Sequence, residues 1–367
     1  MLGAGEHRSE RVCRFVSEER SPQQRRWAAS AARIRRGLPA LTLWSPAYIA
    51  EVLGRLAAFN PAVKTLAESV ARAVAAENLG FESVWTSQLP DARDAALVLA
   101  AYANATRRVG LGTGVLPIYT RHPTAMVQMA ATLDELSGGR FILGIGISHK
   151  VTVESMWGLR LESPVDAMRE YLDIVRTSIR DGGAGIEGKY FSAHWTYSGP
   201  RRPEMPVMIS ALNPRMLELA GEQADGVVLW MCSPAYIRDH VIPAVTAARQ
   251  KAGKTMEGFE IVAAVPVCLT SDRAAALDVF RQTVERYANL PYYRKMMDAS
   301  GFASELAAGS ISEAMLDELS GIGDENQVRD AVRRYREAGA TLPGVGPFGG
   351  HTGAAGFEAT LEAAAGA

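Results

Sequence analysis

From about residue 62 onward, short apolar runs alternate with amphipathic segments of helical period. This alternation constrains the fold more than any other feature of the chain. The runs are Phe81–Thr86, Val109–Val115, Phe141–Ile147, Pro206–Ala211, Gly226–Met231, Glu260–Leu269 and Thr341–Val345. Helical patterns separate them at Ala62–Leu79, Asp91–Asn104, Pro123–Leu136, Val165–Arg180, Pro214–Glu222, Ala235–Lys251, Arg273–Tyr287 and Glu325–Ala338. Continuous apolar runs, without a polar residue at every second place, are what strands buried on both faces need. They predict a parallel sheet with helical crossovers. Seven such strands are visible, and Leu41–Trp44 is read as an eighth, placed first. Eight βα units predict an α/β fold closed into a TIM-like (β/α)8 barrel with insertions. A doubly wound open sheet is the rival, but no GxGxxG follows the first strand.

Composition excludes several functions. The chain has 367 residues, a formal net charge of −1, and 22% charged residues. That balance gives no electrostatic reason to expect nucleic acid or an anionic membrane as partner. No uninterrupted apolar run is long enough to span a bilayer. A cytoplasmic protein is the expectation. Three cysteines, no CxxC pair and no HExxH spacing leave no metal site to predict. Residues 1–37 hold nine arginines and no lysine, with no sustained apolar period. They read as a disordered Arg-rich extension, and residues 38–367 as one barrel domain.

In a barrel the chemistry sits where the strands end at their C-terminal side. Those places are Ser87-Gln88, Gly114-Val115, Ser148-His149, Ser210 to Asn213, Trp230 to Cys232 and the Gly344–Phe348 segment. None begins with a carboxylate, which disfavours a glycosidase or a metal hydrolase. Gly112 and Gly114 in one strand end permit a bulge and the approach of a flat ligand, or mark crowding inside a narrow barrel. Asn213 suits a helix N-cap and Pro214 the first helical position. The helix start, with Arg215 beside it, could receive an anion. His149 could donate a hydrogen bond or act as acid or base, and His122 reads as a helix N-terminal residue. Trp85, Trp157, Trp195 and Trp230 could wall a pocket or fill the core. Two stretches, 182–202 and 291–320, interrupt the repeat and are expected to shape a pocket.

Together these segments resemble the luciferase-like flavin-dependent oxidoreductases, most of all the branch that uses the deazaflavin coenzyme F420. The carrying stretches are LGFESVWTSQ (79–88), RVGLGTGVLPIYTRHPTAMVQMAATLDELSGGRFILGIGISHK (108–150), MWGL (156–159), MREYLDIVR (168–176), PVMISALNPRMLELAGEQADGVVLW (206–230) and PGVGPFGG (343–350). The resemblance covers roughly residues 62 to 360. It implies a hydride transfer between coenzyme F420 and a small organic substrate. The alternatives are an FMN-dependent monooxygenase and a ligand-binding barrel without turnover. It maps a non-prolyl cis peptide to Gly114-Val115 and the cofactor phosphate to Ser210, Ala211, Leu212, Asn213 and Arg215. It sets ring and substrate over Gln88, Gly114, Ser148 and His149. Gln88 and His149 are thereby the catalytic candidates. A homodimer is expected by analogy. The chain departs from many relatives at Ser87-Gln88, where they carry an acidic residue with histidine, and at Leu212-Asn213, where they show two glycines. It departs also at the start: the family's first strand leads straight into the 62–79 helix, whereas Leu41–Trp44 is followed by a detour.

Overall fold

The computed structural model describes residues 54–366, except residue 62 and residues 350–352. The strands are β1 Ala57–Phe59, β2 Ser83–Thr86, β3 Gly110–Thr113, β4 Leu116–Pro117, β5 Phe141–Gly146, β6 Gly183–Ile186, β7 Ala193–Thr196, β8 Val207–Ser210, β9 Gly226–Leu229, β10 Glu260–Leu269, β11 Gly321–Gly323 and β12 Leu342–Pro347. Eight of them close a parallel barrel in the order β1-β2-β3-β5-β8-β9-β10-β12, with β12 returning to β1. β4 extends β3 along β5, and β11 adds to the outer edge of β10.

Local signals set most boundaries. Thr65 caps the helix Leu66–Asn78 by accepting from the Glu68 amide, and Gly80 follows in the left-handed region. His122 caps Pro123–Ser137, as its place before a proline implied, and Gly138 ends that helix at φ 69°.

Two expectations need correction. The first strand of the barrel is Ala57–Phe59, paired with β12 and β2. The segment Leu41–Trp44, read as that strand, lies outside the described residues. Three residues are too few to show a period, so neighbours rather than propensity place β1. It leads directly into the Leu66–Asn78 helix. The second correction concerns Arg273–Ala288. Its pattern suggested a helix packed on the outside of the barrel, but its Tyr287 meets His149 and Trp230 at the C-terminal ends of β5 and β9. The helix belongs to a long excursion after β10 that covers the barrel mouth. The crossover helix that packs on β10 and β12 is Glu325–Glu337.

Inside the barrel, inward residues stack in pleats two apart: Ala57 and Phe59, Val228 and Trp230, Val262 and Ala264. The Phe59 and Trp85 rings fill the centre, stacked with centroids 6.0 Å apart. A Cβ on Gly112 would lie 2.4–2.6 Å from the Trp85 indole, and one on Gly344 2.3 Å from Phe59. These glycines make room for the two rings.

Gly112→Ala should therefore destabilise the protein by about 1–3 kcal/mol through overpacking. In a cycle with Trp85→Leu the two changes should couple, because the smaller side chain vacates the space. Denaturant titration of the four proteins measures the coupling, expected at about 0.5–3 kcal/mol. Simple additivity would show that the indole does not set the size limit at position 112.

Candidate functional site

At the C-terminal mouth the barrel wall changes register. Leu111 and Gly112 pair with Phe141 and Ile142, and Leu116 and Pro117 pair with Ile145 and Gly146. Thr113, Gly114 and Val115 thus stand opposite only Leu143 and Gly144, which makes a bulge. The Gly114–Val115 peptide within it is cis, at the position the resemblance implied. Side chains hold the bulge from both sides. The Ser87 hydroxyl donates to the Gly114 carbonyl at 2.6 Å. The Gln88 backbone N–H donates to the Val115 carbonyl at 3.4 Å. The Thr113 hydroxyl accepts from the Gly144 amide at 2.7 Å and donates to its carbonyl at 2.8 Å.

Three strands meet over this point. A Cβ on Gly146 would lie 2.4 Å from Ser210 Oγ and 2.6 Å from Val115 Cγ2. Val115, Gly146 and Ser210 therefore form one uncharged floor. A Cβ on Gly114 would instead meet the Phe59 ring at 2.9 Å, below the floor. The glycines of this strand end answer to the packed rings rather than to an approaching ligand.

Ser210 leads into Ala211, buried, and Leu212, whose carbonyl accepts from the Tyr236 hydroxyl at 2.7 Å. Asn213 is the N-cap of Pro214–Gln223, with Pro214 in the first turn, as the sequence indicated. Its side chain makes no capping hydrogen bond, so the helix start is not closed by a side chain. Arg215 is exposed at this end, 3.8 Å from the Asp166 carboxylate.

Ser148 follows β5 with φ 59°, and Met231 follows β9 with φ 50°. Both are non-glycine residues in the left-handed region, a conformation that costs energy and clusters at functional sites. His149 comes next and opens onto a π-helical turn at Val151–Met156. Its ring lies 5.7 Å from Tyr293 and 6.5 Å from Tyr287, centroid to centroid. Burial lowers its pKa below the usual 6.5, with no charged neighbour contributing.

Gln88 is placed differently from the expectation of a free catalytic amide. Its Oε1 accepts from the Ala95 amide at 2.9 Å and its Nε2 donates to the Leu89 carbonyl at 3.2 Å. The carboxamide holds the start of the helix Ala95–Ala105. Among the tryptophans, Trp85 is fully buried inside the barrel and Trp195 donates to the Ser178 hydroxyl. Trp230, partly buried, stands one pleat above Val228 at the mouth end of β9.

Ser87 stands at a strand end that the sequence marks, whereas the other mouth residues carry no sequence signal. Ser87 and Thr113 hold the bulge, Tyr287 and Tyr293 come from the excursion after β10, and Tyr119 follows β4. One buried polar atom here, the Tyr119 hydroxyl, lacks a hydrogen-bond partner. Burial pushes the Tyr119 hydroxyl up to about 12. Tyr190 influences Tyr119 electrostatically from the tip of the β6–β7 hairpin, whose Lys189, Tyr190 and Phe191 amides all donate to Glu170. Cys232 is fully buried, and burial raises its thiol pKa. Among the described residues no group of His, Cys, Asp and Glu is arranged to hold a metal ion. No described helix is long and apolar enough to cross a membrane.

The site is thus a neutral floor with one histidine, an open helix start on one side, and an aromatic wall on the other. Because the folded His149 titrates below its unfolded value, its contribution to stability is complete above pH 6.5 and is lost as pH falls through that value toward the folded pKa. His149→Gln should flatten the fall in denaturation midpoint between pH 7 and pH 5. An unchanged slope would show that His149 is not the buried group responsible.

The sequence model of luciferase-like monooxygenases matches residues 41–342. A Mycobacterium tuberculosis protein, named provisionally as a coenzyme F420-dependent oxidoreductase, is 32% identical over 309 residues, 73% of this chain and 87% of its own length. The coenzyme F420 dependent tetrahydromethanopterin reductase of Methanopyrus kandleri superposes with a TM-score of 0.70 at 24% identity, covering 85% of this chain and 97% of that one. The FMN complex of a type II Baeyer–Villiger monooxygenase from Pseudomonas putida gives a TM-score of 0.61 at 19% identity, covering 79% and 91%. At those identities the two superpositions establish the shared fold.

Proposed function

The chain belongs to the luciferase-like monooxygenase family of oxidoreductases, and from that premise we propose that it transfers a hydride between coenzyme F420 and a small organic molecule. The observation that carries the reading is the pairing of a neutral floor with an open helix start on one strand–helix connection. Ser210 belongs to the floor, and three residues later Asn213 begins a helix without a side-chain cap. A flat, neutral ring bearing an anionic tail matches both halves. The residues present fit the group. Val115, Gly146 and Ser210 would face the ring, with the Gly114–Val115 peptide as its support. Ser148 would stand at the ring's edge. Ala211, Leu212 and Asn213 with Arg215 would receive the phosphate.

Bound there, the deazaflavin would supply two-electron hydride chemistry, whereas FMN would add reaction with oxygen. The F420 names of the M. tuberculosis and Methanopyrus kandleri proteins favour the deazaflavin. The likeness in fold to the FMN-bound monooxygenase supports FMN as the second reading. What the chain does is the same in either case. Ser87, Thr113 and the Gln88 backbone fix the bulge. Gln88 serves the site by positioning. The excursion after β10 and the β6–β7 hairpin exclude water. His149, uncharged at neutral pH, holds one proton on its ring and presents it as a hydrogen-bond donor to ring or substrate.

Titration of the purified chain with F420 and with FMN, followed by absorbance, tests the assignment. F420 should bind, and more tightly than FMN; binding of neither overturns it. Asn213→Ala with Arg215→Ala should weaken the phosphorylated cofactor about ten- to hundredfold, the worth of a charge-assisted contact of about 1.5–3 kcal/mol. The same pair should leave affinity for the phosphate-free ring, and unfolding free energy to within about 0.5 kcal/mol, unchanged. Equal loss for both ligands would indicate general damage instead.

His149→Ala should lower kcat and kcat/KM together by about 10²–10⁴-fold while cofactor affinity changes far less. A loss confined to cofactor affinity would reassign His149 to binding.

A further inference from the structure

We infer that Glu170 is a positioning residue for the mouth: its carboxylate fills the turn of the β6–β7 hairpin as a built-in anion, and the hairpin tip it holds fixes the segment that runs from the Gly114–Val115 bulge to Arg121. The inference rests on the reading of the mouth as the cofactor site and names a residue outside the mouth that shapes it.

One face of the helix Pro164–Asp181 carries the hairpin along its length. Glu170, Ile174 and Ser178 follow one another on that face at a spacing of four. Ser178 accepts from the Trp195 indole of β7 at 3.0 Å, and Ile174 packs with Ala184 of β6 and Ala193 of β7. Glu170 meets the turn between the two strands. There one carboxylate receives three consecutive backbone N–H groups. Lys189 donates to one oxygen at 3.0 Å, and Tyr190 and Phe191 donate to the other at 2.6 Å and 2.9 Å. Converging backbone N–H groups make a concavity for an anion. Here the anion belongs to the chain. The fit is close, since a Cβ on Gly188 would lie 2.7 Å from Glu170 Oε2 and 2.4 Å from the Phe191 carbonyl oxygen. Burial raises the Glu170 pKa, but the hydrogen bonds from Phe191, Tyr190 and Lys189 outweigh it and hold the group below the usual carboxylate value.

The contacts of the tip lead to the bulge. The Phe191 ring meets the Tyr171 ring edge-on, with centroids 5.1 Å apart, and the Tyr171 hydroxyl donates to the Arg121 carbonyl at 2.9 Å. Arg121 pairs with one oxygen of Asp94, whose other oxygen accepts from the Ala96 and Leu97 amides at the start of the helix Ala95–Ala105. Gln88 holds the first amide of that helix, and its own backbone N–H donates to Val115. The segment between Val115 and Arg121 is thus pinned at both ends, and Tyr119 lies within it. The Tyr119 hydroxyl is buried without a hydrogen-bond partner. Beyond burial, Tyr292 and Tyr190 influence it electrostatically, and Tyr190 is one of the three residues whose amides Glu170 holds.

The test uses the full chain carrying 3-fluorotyrosine at position 119. In Glu170→Ala the amides of residues 187–192 should exchange with solvent at least about tenfold faster, as the loss of charge-assisted hydrogen bonds demands. The fluorine resonance at position 119 should move toward its value in the unfolded chain, and F420 should bind about three- to tenfold more weakly, the worth of about one hydrogen bond. Formate is small enough to take the place among the three N–H groups, and it should reverse all three changes. Glu170→Gln keeps an acceptor oxygen without the charge and should fall between. Glu187→Ala removes the contact of the turn with His194 and should leave the fluorine resonance where it is. An unmoved resonance in Glu170→Ala, changes that formate does not reverse, an equal shift from Glu187→Ala, or unchanged F420 affinity in a chain whose wild type binds F420 would each overturn the inference. Failure of the wild-type chain to bind F420, with the exchange and fluorine changes as expected, would overturn the cofactor assignment and leave the role of Glu170 standing.

Discussion

Two stacked rings inside the barrel, Phe59 and Trp85, decide what the surrounding strands can carry. A barrel of eight strands has an interior just wide enough for side chains. Once two large rings lie there, positions facing them must be small. Gly112 faces the indole and Gly344 faces the phenyl ring, each with no room for a Cβ. The indole is polar at one atom only, and Ser83 in the same strand accepts from it at 2.8 Å. The plug is therefore both dense and satisfied. It gives the mouth a rigid base, and the Gly114–Val115 bulge rests directly on Phe59.

The bulge shows how a packing constraint becomes a binding surface. One surplus residue against β5 frees Gly114 and Val115 from the ladder, and hydroxyls take over the work of the lost pairing. Ser87 holds the Gly114 carbonyl, and Thr113 serves both the amide and the carbonyl of Gly144. Every fixing group is neutral and short. The floor made by Val115, Gly146 and Ser210 is consequently without charge, and burial rather than a carboxylate sets the state of His149 above it. Such a floor suits a ring whose reactivity belongs to the ring itself.

Much of this was legible because strand ends are legible. Seven apolar runs mark seven barrel strands, and the residues just past them are the mouth by construction of the fold. Asn213 before Pro214 announces a helix start. The bulge was readable as two glycines and a family likeness, although the glycines proved to answer to Trp85 and Phe59. The rest was hidden for physical reasons. Ala57–Phe59 is too short for periodicity, and its place is fixed by pairing to β12 and β2. Arg273–Ala288 has one apolar face, which packs as well over the mouth as on the barrel's outside. The positions of Tyr287 and Tyr293 depend on that choice. Gln88 stood in the right loop, but the Ala95 amide lay within reach of its side chain, and the local partner claimed it.

Charged side chains stitch the end of the barrel opposite the mouth, and the neutral floor is built above them. Where the strands begin, ion pairs stitch neighbouring segments. Arg55, just before β1, reaches Glu82 before β2 and Glu260 at the start of β10. Arg202 grips the buried Asp134 with two nitrogens and donates to the Phe141 carbonyl. Arg176 holds Asp225, whose carboxylate also accepts from the first amide of β8. Arg140 donates to the Val109 and Thr106 carbonyls below β3. Asp134 is buried, and leaving it without Arg202 would cost about 3–5 kcal/mol; the other pairs are partly exposed and contribute less, and together they anchor the barrel's register at this end. Ion pairs also stand on the mouth-side segments, Arg121–Asp94 and Arg294–Asp298 among them, but the bulge itself is held by hydroxyls and backbone groups. The mouth can keep its strand ends small and its histidine uncharged, which suits a flat ring laid on the floor.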